Sequence, residues 1–156
     1  VTVLSYLPAV KPNAALQKGL KVSVYELSPK SVDDLETAKP VKANLVKEIS
    51  LDQLPREEYA GLMYNGYIQI PEEGIYTFFV SADDGAKLWI DQELVVDNDG
   101  THSNVEKSGR IALRKGLHAF KLSYIQDKST KFLELKYRFD LQEKKLIPSS
   151  FYRTEK

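Results

Sequence analysis

The sequence predicts an all-β domain, an antiparallel sandwich or barrel with one long irregular connection. Three observations carry the prediction. From Tyr67 onward, turn signals recur roughly every 8–12 residues, the spacing of a two-layer β fold. Segments between those turns such as "LHAFKLSYI" and "KFLELKYRF" alternate apolar and polar residues, as half-buried strands do. No amphipathic run of helical length follows residue 64, which argues against an α/β architecture.

Residues 1–16 hold Pro8, Pro12 and Asn13 and read as a leading linker or short strand, ahead of a single domain over 17–156. "LKVSVYEL" (Leu20–Leu27) sets Leu20, Val22 and Val24 on one side, a strand signal. Residues 28–63 are the least regular stretch and contain three prolines. They predict a long connection with one or two short turns. One of these is "SVDDLE", with Ser31 as N-cap and Asp34 three residues on. From Tyr67 the pattern is strand and turn to the end. "YIQI" stops at "PEEG", "IYTFFVSA" at "DDG", and "AKLWID" turns at Asp91-Gln92 into "ELVVD". After the loop "NDGTHSNVEK" come "SGRIAL", "LHAFKLSYI", "KFLELKYRF" and "IPSSFYR". In "KFLELKYRF", Leu133, Leu135, Tyr137 and Phe139 share one face, so one side of that strand is buried and the other wet. Most of the nine tyrosines are read as core or edge packing.

Bulk properties exclude several classes of function. Lys+Arg and Asp+Glu are both 22, so no global basic field draws nucleic acid or an anionic membrane. No apolar stretch is long enough to insert in a bilayer as a helix. With no cysteine there is no disulfide scaffold, thiolate zinc site or cysteine nucleophile. The opening "VTVLSYLPAV" lacks a basic n-region and an apolar signal core, so a signal is absent or already removed.

The chemistry concentrates in "SADDGAKLWIDQELVVDNDG" (Ser81–Gly100), which holds six carboxylates and one lysine. Catalysis fits poorly. There are two histidines, and His118 reads as closing a turn at the start of a strand. No nucleophile elbow, P-loop, dinucleotide fingerprint or zinc-protease motif is present. Asp83 and Asp84 are adjacent on a strand end and so make a poor acid/nucleophile pair. The sequence therefore predicts no enzyme. Calcium is a better match to an acidic loop, because hard cations take several oxygen ligands. "VVDNDGTHSNVE" overlays an EF-hand loop only with Val95 at a ligand position and strands on both flanks, so that site is rejected, and "DNDG" reads as a tight turn. "SADDGAKL" stays open between two readings. Its two acids either stand in water at an exposed turn, or repel each other unless a cation, an N–H nest or sugar hydroxyls compensate them.

The order of these segments, "GYIQIPEEGIYTFFVSADDGAKLWIDQELVVDNDG", "EKSGRIALRKGLHAFKLSY", "LELKYRF" and "IPSSFYR", closely resembles the PA fourteen domain, the protective-antigen-type β-domain. The likeness runs from about Leu20 to Arg153. The resemblance implies an antiparallel β-sandwich, barrel-like and of jelly-roll type. It is nearest to accessory domains of bacterial glycoside hydrolases, such as β-glucosidases and hexosaminidases. It therefore implies a non-catalytic carbohydrate-binding or substrate-shaping module of an exported protein, with a glycan or a neighbouring catalytic domain as partner. The alternative is a structural or protein-interaction module without a ligand of its own. In the yeast adhesins of the family, two adjacent aspartates joined by a cis peptide bind calcium, and that ion helps bind sugar. The resemblance thus makes Asp83 and Asp84 the candidate calcium and carbohydrate ligands, with Trp89 and His102 as candidate helpers. The adhesin loop that supplies an Asn corresponds to "QDKSTKF", which has none, although Asp127 is nearby.

Overall fold

The computed structural model describes residues 5–156. In chain order the elements are β1 (Leu16–Lys18), β2 (Leu20–Glu26), a one-turn helix α1 (Asp34–Thr37), β3 (Lys42–Val46), β4 (Ala60–Ile70), β5 (Gly74–Asp83), β6 (Gly85–Ile90), β7 (Glu93–Asn98), β8 (Val105–Leu113), β9 (Gly116–Gln126), β10 (Phe132–Phe139), β11 (Lys145–Leu146) and β12 (Tyr152–Glu155). They form two antiparallel sheets. The larger runs β1-β12-β4-β9-β6-β7, and β2, with β3 beyond it, shares the β12 edge of β4. The smaller runs β11-β10-β5-β8. The expected all-β sandwich is the observed fold.

Directly paired residues on neighbouring strands share a face, so register decides what is buried. Leu62 lies opposite Tyr124 and Tyr64 opposite Leu122, and all four face the smaller sheet. Val80 opposite Leu135 and Phe78 opposite Tyr137 meet them from the other side. Six of the nine tyrosines are buried. Buried hydroxyls need partners, and Tyr64 donates to Ser50 O at 2.5 Å and Tyr76 to Glu72 O at 2.6 Å. Burial pushes both phenols up to about 12.

The 28–63 connection differs from its sequence reading. It contains β3, which pairs with β2, and β4 begins at Ala60 rather than near Tyr67. β3 was obscured because "KANLV" is an edge strand with a mostly exposed pattern. The start of β4 was obscured because both its faces are covered. Val32 and Leu35, around α1, pack on Met63, Ile125 and Tyr25 on the outside of the larger sheet. With Gly61, Leu62 and Met63 all buried, the period-two signal disappears. Gly61 is needed there, because a Cβ would lie 2.5 Å from Leu35 Cδ2. The N-cap of α1 is Asp33, not Ser31. Ser31 instead opens the preceding turn: its Oγ accepts from the Asp33 amide at 3.0 Å, and its own amide donates to Asp34 Oδ2 at 3.2 Å.

Of the predicted leading segment, residues 1–4 lie outside the described residues. Leu7 exchanges backbone bonds with Ala112 and Arg114, and Val10 N donates to Leu117 O. Asp91 and Gln92 both have positive φ, 51° and 70°, as a two-residue hairpin turn requires.

Candidate functional site

Asp83 ends β5 and Asp84 precedes Gly85, the first residue of β6, so the pair sits where the chain crosses from the smaller sheet to the larger. The peptide bond between them is cis. Their carboxylates meet the 127–130 loop that follows β9. Asp84 Oδ2 accepts from the Asp127 amide at 2.6 Å, and Asp83 Oδ2 accepts from Thr130 Oγ1 at 2.6 Å. Below them, the Tyr124 hydroxyl donates to Asp83 O at 2.5 Å. The 98–103 loop forms another wall. It lies so close that a Cβ on Gly85 would be 2.4 Å from Gly100 O, which is a physical reason for glycine after the two acids.

The two aspartates are only 6% and 7% exposed, and neither makes an ion pair among the described residues. Burial raises the Asp84 pKa above the ordinary carboxylate value. The Asp127 amide pulls it down, the charges of Asp83 and Asp127 push it up, and His102 pulls it down. The net rise marks a negative charge that the fold does not fully compensate. Asp83 Oδ1 and Asp84 Oδ1 accept no hydrogen bond among the described residues. Among those residues, no set of three His, Cys, Asp or Glu side chains converges on one point. A hard cation here would thus take the two carboxylates and fill its remaining positions with backbone carbonyls, water or ligand hydroxyls. The donors are all oxygen and carry uncompensated negative charge, which fits calcium and excludes a soft-metal site.

The other residues singled out in the sequence fall in three places. His102 joins the aspartate end, folded into the 98–103 loop with Nε2 2.9 Å from Asn98 O and Nδ1 2.7 Å from Ser103 O. Trp89 does not join it. It lies toward the far end of β6, on the outer face of the larger sheet, with Lys121 Nζ 4.7 Å above its ring. Its expected help at the aspartate pair is not what the structure places there. Outward-facing residues of β6 alternate, and several residues of strand separate Trp89 from the turn. Asp99 of "DNDG" is a tether: its carboxylate accepts from Ser31 Oγ at 2.5 Å and the Val32 amide at 2.8 Å, fastening the turn before α1. Asn98 is buried and donates to Val80 O and Val105 O, bridging β5 and the start of β8.

Asp91 and His118 form a separate clasp, with Nδ1 to Oδ2 at 2.5 Å and Asp91 Oδ1 accepting from the Ala119 amide at 2.8 Å. Burial lowers the His118 pKa, but the bond to Asp91, the Arg114 carbonyl and the Asp91 charge outweigh it and hold it above the ordinary value.

Thr130 and the Tyr124 hydroxyl were missed as site residues. The reading of most tyrosines as core or edge packing said nothing of the group above the Tyr124 hydroxyl. Thr130 stands in a loop with no pattern to read. Gln126, also buried, steadies that loop by donating to Glu57 O and Ser129 O, both at 3.1 Å.

A family model described as the PA14 domain matches residues 16–150. The chain belongs to the PA14 domain family. Among curated proteins it is 30% identical over 100 residues to the anti-sigma-I factor RsgI3 of Acetivibrio thermocellus, a match covering 64% of this chain and 16% of that protein. It is 33% identical over 105 residues to the protective antigen of Bacillus anthracis, covering 64% of this chain and 13% of that one. This PA14 domain thus spans less than a fifth of either relative. Among solved structures, the PA14 sugar-binding domain from an RTX adhesin superposes with a TM-score of 0.73 at 16% identity, covering 88% of this chain and 98% of that one. The Epithelial Adhesin 9 A domain of Candida glabrata, solved with Galb1-3GlcNAc, gives 0.66 at 11% identity, covering 94% and 93%. At such identities these likenesses establish the fold. The cis-linked aspartates that the resemblance implied are present at Asp83-Asp84. In place of the adhesin Asn, the facing loop presents Asp127 and Thr130.

Proposed function

We propose that this PA14 domain is a non-catalytic glycan-binding module whose site is the Asp83-Asp84 end of the sandwich. The observation that supports it most is the buried carboxylate pair with no cation partner among the described residues and one free oxygen on each side chain. Calcium, when bound, supplies the positive charge that this pair lacks and an acceptor for vicinal sugar hydroxyls. The chain's own residues do the rest. Thr130 and the Asp127 amide hold the two carboxylates in place, and Tyr124 fixes the backbone between them. The 98–103 loop and the 127–130 loop form the rim against which a sugar is selected.

The parent protein belongs to the same proposal. An exported glycoside hydrolase is supported by the β-glucosidase of Kluyveromyces marxianus and the α-xylosidase of Xanthomonas citri. They superpose with TM-scores of 0.58 and 0.56, and this chain covers 16% and 14% of them. In such a parent the module captures or shapes substrate beside a catalytic domain. The anti-sigma factor relatives suggest another parent in which the same module presents a glycan to a larger chain. Export fits both. The protein-interaction alternative is less favoured, because Ile49, Leu51 and Leu54 of the long 28–63 connection pack on the domain's own core.

Isothermal titration against a glycan panel tests the reading, first with calcium and then with chelator. Binding of at least one glycan that requires calcium and vanishes in an Asp83→Asn/Asp84→Asn variant is the expected result. If no glycan on the panel shows a calcium-requiring component that the double substitution removes, the proposal fails.

A further inference from the structure

The aspartate end leaves one built feature of the surface unused. Across the outer face of the larger sheet runs a row of directly paired residues: Lys21, Asn65, Lys121, Trp89 and Leu94, one each from β2, β4, β9, β6 and β7. α1 and Leu35 cover the neighbouring part of this face, and α1 reaches the row through Glu36, which pairs with Lys121. What remains open is a groove of about 550 Å³ bounded by Trp89 and Gln92 on one side, Tyr67 and Asn65 on another, and floored by Ala119. A second hollow shares Tyr67, Ala119 and Glu155 with it and continues the trough to residues 10–14 of the leading segment.

Three features indicate what such a groove takes. Its aromatic walls are rings with a polar handle, which pack on the C–H face of a pyranose while leaving its hydroxyls wet. Its convergent polar groups include the Asn65 and Gln92 amides, which both donate and accept, as hydroxyls require. Its charges are of both signs rather than one, with Lys21 and Lys121 set against Glu155 and Glu36. Lys121 bonds to Glu36, and the same ammonium over the indole holds the Trp89 ring; the Tyr67 hydroxyl donates to Glu155 at 3.3 Å. A groove with matched charges, amides and aromatic walls suits an uncharged polyhydroxy ligand. Its extent suits a chain rather than a single ring: Trp89 and Asn65 are two strand spacings apart, about 10 Å.

We propose that this groove is a second glycan site, independent of calcium and of Asp83-Asp84, that takes a short neutral oligosaccharide laid across Trp89, Tyr67 and Asn65. Two sites on different faces of one small domain would raise avidity for a polysaccharide without a new contact at either.

Trp89 is the only tryptophan in the chain, so its emission reports on this groove alone. The experiment titrates the whole domain, in excess chelator, with hexamers of β-1,4-glucan, β-1,4-xylan and α-1,4-glucan, following tryptophan fluorescence with calorimetry in parallel. A saturable response to at least one hexamer is expected, unchanged in Asp83→Asn/Asp84→Asn. By calorimetry, affinity falls at least tenfold in Trp89→Ala and several-fold in Asn65→Ala, whose site is exposed and leaves the core intact. The inference is overturned by three results: no response to any of the three hexamers, a response that needs calcium or the two aspartates, or calorimetric binding that survives both groove substitutions. The aspartate variant keeps the two sites distinguishable, since loss at one leaves the other to be measured.

Discussion

Replacing Asp91 by Asn tests how the domain holds the hairpin between β6 and β7. His118 has no exposed surface, and its Nδ1 lies 2.5 Å from Asp91 Oδ2, a carboxylate only 12% exposed. Asn keeps a tolerance for the positive φ of 51° at this position, so the substitution removes the charge and spares the turn. A buried hydrogen bond to a charged partner contributes about 1.5–3 kcal/mol. For a domain of this size, 1 kcal/mol shifts Tm by roughly 2–4 °C, so the variant is expected to melt about 3–12 °C lower near pH 6. The pH dependence has a definite sign. His118 is held above its ordinary value of 6.5, so the folded state binds its proton more tightly than the unfolded chain does. The pair's contribution is therefore complete below about pH 6.5 and fades as pH rises through the folded value. Thermal melts of both proteins from pH 5.5 to 9, followed by circular dichroism, should show a gap that narrows with rising pH. An equal gap at pH 6 and pH 9 would refute the ion pair and leave Asp91 as a turn residue only.

Other expectations follow from the same geometry. Calcium should raise the Tm of the native domain by an amount that grows with its concentration, and Asp83→Asn/Asp84→Asn should abolish the rise. In chelator, the double variant should be no less stable than the native protein, because it loses an uncompensated buried charge; a marked fall in Tm would mean that the fold already neutralises the pair. Tyr124→Phe removes the donor to Asp83 O and should cost about 1–2 kcal/mol in a urea melt, together with weaker calcium-dependent glycan binding; unchanged stability and binding would remove Tyr124 from the site. Gly109→Ala places a Cβ 1.8 Å from Val95 O, where backbone has to give way, and should cost about 3 kcal/mol; full retention of the native urea midpoint would contradict the close approach of β8 to β7.

Much of this could be read from local pattern. β9 and β10 announced themselves because apolar and polar residues alternate along them, β5 because it is aromatic and β-branched between two turns, and the Asp91-Gln92 turn because it separates two strand-like segments at hairpin distance. β3 and the start of β4 did not. One is an edge with little to bury. The other is covered on its outer face by Leu35, so its apolar run has no period. Asp83 and Asp84 were visible as an unusual pair of like charges. Local pattern did not show their partners, since Asp127 and Thr130 lie 43 and 47 residues away in a loop whose composition is ordinary; only the family resemblance pointed to that loop, and it did not single out Thr130.

By itself the sequence determined the sandwich, most of its strands and the position of the acidic turn, because alternation and turn chemistry are set by neighbours along the chain. Tertiary structure decided what the acids became. Sheet register carried the loop after β9 onto Asp83 and Asp84, turned Asp99 into a tether for the segment before α1, paired Asp91 with His118, and set Trp89 and Tyr67 along one groove on another face. Those outcomes depend on which strands pair, and pairing between distant strands is a property of the whole sheet.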